Sequence, residues 1–216
     1  MIAIRNSNDG SIFVRLDEKN TQDACKRAID FEKFKKWNNN KYTKGIINSA
    51  KDPHKAARIG NMGEQAFHLV TGLPLDRAIR EHGNRKDFII DIENRHINIE
   101  VKTQQKEHED GKFANLYWIK AKGKNDKNYR KLNADFYVFC LLHSLDKKKD
   151  DAKWAYVELV GWITKKDFDA NKTIGPAVSS LSNHLNYYIH RKFFLNMDDF
   201  IIKCDKYLKN PRILVY

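Results

Sequence analysis

Hydrophobic and polar residues alternate most strictly between Asn84 and Gln105. Phe88, Ile90 and Ile92 share one parity, Ile97, Ile99 and Val101 share another, and the polar run Glu93-Asn94-Arg95-His96 separates them. Period two about a polar break predicts a β-hairpin. A two-residue turn at Asn94-Arg95 sets Glu93 opposite His96, Ile89 opposite Glu100 and Asp87 opposite Lys102, with the polar side chains on the face away from the isoleucines.

Upstream the period becomes helical. Ala56, Ala57, Gly60, Gly63, Ala66, Phe67 and Val70 recur at spacings of three and four. They predict a helix from an Asp52 N-cap, with Pro53 at its first position, to Thr71, where Gly72 stops it. The small residues form a narrow face suited to close packing on a sheet, and Glu64 lies beside that face.

The rest of the chain gives shorter elements. Ile2 to Ile4 and Ser11 to Leu16 flank a turn over Asn6 to Gly10, a small hairpin. Thr21 to Trp37 reads as a helix with Ala24, Ala28 and Phe31 on one line, ended by Asn38-Asn39-Asn40. Strands are predicted over Phe113 to Ile119, over the nearly continuous apolar run Ala134 to Leu142, and over Trp154 to Trp162, broken at Gly161. Thr164 caps a short helix through Phe168, Tyr187 to Ile189 is a strand, Met197 to Ile202 a helix and Ile213 to Tyr216 a terminal strand. The order of elements is that of an α/β protein.

Composition narrows the class. The 216 residues are 41% hydrophobic and 12% aromatic, enough for one well-buried core. Forty Lys and Arg against 28 Asp and Glu leave a formal charge of +12, which suits a polyanionic partner. Three distant cysteines, Cys25, Cys140 and Cys204, predict neither a disulfide framework nor a zinc site, and a reduced, cytoplasmic setting. The longest apolar run is too short to span a bilayer, so no membrane partner is expected. Eight scattered histidines lack ligand spacing.

The hairpin carries the candidate chemistry. Asp87, Glu100 and Lys102 converge on its polar face. Two neighbouring carboxylates stay ionised most readily around a hard divalent cation, for which Mg²⁺ is suited, and an adjacent ammonium can orient a water or offset charge at phosphorus. Gly63-Glu64 followed by Ala66, then Asp87-Phe88-Ile89-Ile90, then Ile99-Glu100-Val101-Lys102-Thr103, resembles the PD-(D/E)xK phosphodiesterase superfamily, the restriction-endonuclease-like nucleases. The resemblance covers about 52–142.

That resemblance implies a restriction-endonuclease-like core, a mixed central sheet flanked by helices, with 1–50 and 143–216 as terminal elaborations of a single domain. Asp87 and Glu100 match the metal-binding acids, Lys102 the catalytic lysine and Glu64 the accessory acid. The backbone carbonyl of Val101 joins the metal set, and Gln104 extends the site toward substrate. Mg²⁺ is the implied cofactor, with Mn²⁺ substituting, and DNA the implied substrate. The position before Asp87 holds Lys86 instead of proline, and Asp91, on the same face, rivals Asp87.

Lys120, Lys122, Lys124 and Arg130 lie in the densest basic stretch, with Tyr129 among them. They read either as phosphate contacts or as a solvated loop and short helix. Lys33, Lys35, Lys36, Lys41 and Lys44 read as a DNA-contacting cap or a solvated helix face. Three functions follow: a Mg²⁺-dependent DNA endonuclease of restriction type, which implies a homodimer; a structure-selective nuclease such as a Holliday-junction resolvase; or a non-catalytic DNA-binding module.

Overall fold

The computed structural model describes residues 2–6, 8–38, 55–75, 87–92, 95–106, 115–122, 132–146, 152–176 and 185–205. Among these, β1 (Ile2–Arg5) and β2 (Ile12–Leu16) precede α1 (Glu18–Asn38) and α2 (Lys55–Thr71). The site hairpin β3 (Phe88–Ile92) and β4 (Arg95–Gln105) follows, then β5 (Leu116–Lys122), β6 (Phe136–Leu145) and β7 (Ala155–Thr164). The chain continues through α3 (Lys165–Asn171), β8 (Thr173–Pro176), β9 (Leu185–His190), a 3-10 turn at Arg191–Phe193 and α4 (Met197–Asp205).

The fold is α/β. Six strands form a mixed sheet in the order β1-β2-β7-β6-β4-β3, in which β4 and β6 are parallel and the other neighbours antiparallel. A second, antiparallel sheet has the order β5-β9-β8. Strand β6 is apolar almost throughout because it is covered on both faces. Val138, Cys140 and Leu142 face the layer that holds Met62, Ala66 and Phe67 of α2 and Phe200 of α4. Tyr137, Phe139 and Leu141 face the second sheet through Tyr117, Ile119 and Ile189, with Phe168 of α3. Phe67 meets Phe88 edge-on at 4.8 Å and so ties α2 to the hairpin.

Several expectations change. The pairs Asp91↔His96, Ile89↔Asn98 and Phe88↔Ile99 place the hairpin connection at residues 93 and 94, which lie outside the described residues, two positions out of the expected register. A two-residue shift preserves parity, so every side chain keeps its face. Asp87 now falls level with Glu100 instead of Lys102. Strand β7 continues past Gly161 to Thr164, with its pairing to β6 shifting register beside the glycine, between Phe139 and Cys140. A Cβ on Gly161 would stand 2.7 Å from the Leu195 carbonyl oxygen, and Trp162 and Leu195 exchange backbone bonds of 3.0 and 2.8 Å over that close approach.

In α2 the buried stripe is Met62, Gly63, Ala66, Phe67 and Val70, while Ala56 is exposed and Gly60 faces open space. Arg58 and Gln65 are buried in the same helix. Thr164 caps α3 as expected, accepting from the Asp167 amide. The expected Asp52-Pro53 cap, the terminal strand at Ile213 to Tyr216, Lys41 and Lys44 fall outside the described residues. Cys25 and Cys140 are both buried. No helix among the described residues is long and apolar enough to cross a membrane.

Candidate active site

Asp87 ends the approach to β3 by folding onto β4. Its amide donates to the Ile99 carbonyl (3.2 Å) and its Oδ2 accepts from the Val101 amide (2.7 Å), so it bonds both chain neighbours of Glu100. Glu100 is nearly buried, its side chain 9% exposed, and its Oε1 lies 2.6 Å from Lys102 Nζ. The alternation of β4 puts Glu100, Lys102 and Gln104 on one face and Ile99 and Val101 in the core beneath α2.

Glu64 enters from α2. Gly63, beside it, lies against Thr103 of β4, which seats the helix directly over the strand. Burial first, and then the negative charge of Asp87, push the Glu64 carboxyl up to about 7, while Arg27 and Lys102 pull in the opposite direction. Glu64, Asp87 and Lys102 are therefore within electrostatic reach of one another, and Lys102 joins Glu100 to the same group.

The other sequence candidates divide. Gln104 is buried and belongs to the joint between the sheets, its Nε2 donating to Leu116 O (3.3 Å) and its Oε1 accepting from the Trp118 amide (2.9 Å). Lys120 is exposed on β5, Lys122 ends that strand, and Lys124 and Arg130 lie outside the described residues. Asp91 sits at the turn end of the hairpin, its exposed carboxylate 2.5 Å from His96 Nδ1.

Sequence reading missed Arg27 of α1, which donates to Glu64 Oε2 at 3.1 Å. The signal was faint. Asn20, Ala24 and Arg27 on α1 and Asn61 and Gln65 on α2 each recur at helical spacing, and together they make a polar seam between the helices.

Asp87, just ahead of β3, and Glu100 of β4 are a pair of carboxylates, with the Lys102 ammonium on Glu100 and Glu64 within electrostatic reach of Asp87. Among the described residues no group of three or more His, Cys, Asp or Glu side chains is placed to hold a metal ion. The donor set fits Mg²⁺, which is usually held by one or two carboxylates and keeps several waters. Compared with known proteins, the chain matches no family model, no curated sequence and no solved structure.

Proposed function

We propose that this chain is a Mg²⁺-dependent phosphodiesterase that cuts DNA as an endonuclease. One observation carries the reading: Asp87 bonds both neighbours of Glu100, with Lys102 on Glu100 and Glu64 within electrostatic reach of Asp87. A core with no functional demand would not gather mutually repelling acids at the edge of its sheet. The formal charge of +12 supports a polyanionic substrate.

Asp87, Glu100 and the Val101 carbonyl would hold the metal, with Glu64 reaching it directly or through water. A divalent ion there would lower the pKa of a bound water and stabilise charge at the phosphoryl oxygens. Lys102 would position the attacking water as the ammonium or, only as the neutral amine, take its proton. Asp87 fixes β4 through its two backbone bonds and so keeps Glu100 and Lys102 aligned.

The test is cleavage of supercoiled plasmid, with a four-way junction alongside, in Mg²⁺, Mn²⁺ and EDTA. Wild type is compared with Glu100→Ala and Lys102→Ala. Metal-dependent cutting by wild type, absent in both variants, supports the reading. Discrete bands mark a restriction-type enzyme and branch-point cleavage a structure-selective one. DNA binding without cutting on any substrate or metal refutes the nuclease and leaves a binding module.

A further inference from the structure

Helices α1 and α2 meet along a chain of polar contacts that ends in the candidate active site. Asp17 Oδ1 accepts from the amide and side chain of Asn20 (3.0 and 2.8 Å), and Asn20 Oδ1 accepts from Gln65 Nε2 (2.8 Å). Arg27 Nη2 donates to Gln65 Oε1 (3.3 Å) and to the Asn61 carbonyl (3.2 Å), and Nη1 donates to Glu64 Oε2 (3.1 Å). The side chains of Arg27 and Glu64 are only 15% and 22% exposed. Buried Ala24, Cys25 and Ala28 let α1 approach closely enough for this.

An arginine taken out of water needs its donors used. The Nη2 contacts to Asn61 and Gln65 tie the two helices together, and Nε is buried without a hydrogen-bond partner among the described residues. The Nη1 contact reaches further, because its acceptor is the carboxylate that feels the charges of Asp87 and Lys102, on the residue next to Gly63, which lies on Thr103 of β4. Planar and fork-shaped, a guanidinium fixes direction as well as charge.

We propose that Arg27 is a positioning residue of the active site, holding the Glu64 carboxylate toward Asp87 and Lys102 so that the acidic group is assembled before metal or DNA arrives. Helix α1 is then part of the catalytic machinery and not a peripheral cap. This rests on the nuclease reading above.

The test is Mn²⁺ binding to the DNA-free protein by calorimetry, with thermal unfolding and plasmid cleavage of each variant. The variants are Arg27→Lys, Arg27→Met, Glu64→Gln and the Arg27→Met/Glu64→Gln double. Outer residues that orient metal ligands typically account for about ten- to a hundredfold in metal affinity, and a loss of that size is expected in Arg27→Met. Arg27→Lys should recover part of it, and once Glu64 is Gln the Arg27 change should add nothing.

Unchanged Mn²⁺ affinity in Arg27→Met, or losses that multiply in the double variant, overturn the positioning role while wild-type cleavage leaves the nuclease reading standing. Should Arg27→Met fail to fold, wild-type affinity and cleavage in a folded Arg27→Lys overturn the role, and a loss of both supports it. The absence of both Mn²⁺ binding and cleavage in wild type refutes the nuclease reading and this proposal with it.

Discussion

Gly63 of α2 lies so close to Thr103 of β4 that a Cβ on the glycine would stand 1.9 Å from the threonine Oγ1 and 3.1 Å from its Cβ. Rotating Thr103 removes only the first clash, and Cys140 Cβ waits at 3.3 Å. With Thr103 turned aside, Gly63→Ala still needs its neighbours to give by a few tenths of an ångström, which displaces Glu64 slightly from its seat. The expected result is a loss of about 1–3 kcal/mol in denaturant unfolding and a fall in cleavage, partly recovered by adding Thr103→Ala. Wild-type stability in Gly63→Ala would mean that the approach is not tight.

Gln104 makes its two bonds to β5 in a buried setting, so Gln104→Leu strands the Trp118 amide and the Leu116 carbonyl. The expected loss is about 1–3 kcal/mol of stability, with cleavage by the folded fraction close to wild type. A variant that melts like wild type but loses DNA affinity would restore the substrate-contact role that the sequence suggests.

Much of this was legible because it is local. The period of three to four in α2 and the period of two in the hairpin each depend on neighbours in the chain, so both elements and the common face of Glu100 and Lys102 follow from spacing alone. The register was less secure. Residues 93–94 and 94–95 are equally polar as connections, and both keep the isoleucines inside. What depends on distant pairing was not legible. Strand β5 joins β9, about seventy positions away by the pairing Trp118↔Tyr188, and only that second sheet brings the β5 backbone back over Gln104, which bonds Leu116 and Trp118. Gly161 misled for the same reason, since the segment that fills its missing side chain is Phe194-Leu195. Nothing in α1 alone singles out Arg27, because all of its side chain's hydrogen-bond acceptors lie on α2.

Glu158 of β7 gives a pH dependence outside the site. Its side chain is 4% exposed, with Oε2 at 2.7 Å from His143 Nε2 and Oε1 accepting from Arg191 Nη2 at 2.8 Å. Burial raises its pKa, but the His143 hydrogen bond and the Arg191 charge outweigh this and hold it below its ordinary 4.5. Asp9, bonded to Ser11 and Arg191, is likewise depressed against the effect of burial. A depressed folded-state pKa stabilises fully above the unfolded value, and that contribution disappears as pH falls through the folded value. The melting temperature should therefore drop as pH is lowered below about 4.5. Glu158→Gln should be less stable by about 1–3 kcal/mol at neutral pH and show a shallower acid slope. Parallel melting curves from pH 3 to 7, on the order of the range where carboxylates titrate, would remove Glu158 as the cause.

The two candidate first acids, Asp87 and Asp91, separate by experiment because they occupy opposite ends of one short strand. Asp91 is exposed and pairs with His96 near the turn, a surface interaction expected to contribute under about 1 kcal/mol. Asp87 bonds the backbone on both sides of Glu100 and raises the Glu64 carboxyl. Asp91→Asn should leave metal-dependent cleavage and stability near wild type. Asp87→Asn keeps the shape but removes the charge, and cleavage should fall by about a hundredfold or more. Because Asp87 contributes to the upward shift of Glu64, its neutralisation should also return the Glu64 carboxyl toward the ordinary range, readable by carboxylate NMR on the metal-free protein. Loss of cutting in Asp91→Asn with activity retained in Asp87→Asn would move the metal site to the turn end of the hairpin, away from Glu64 and Arg27.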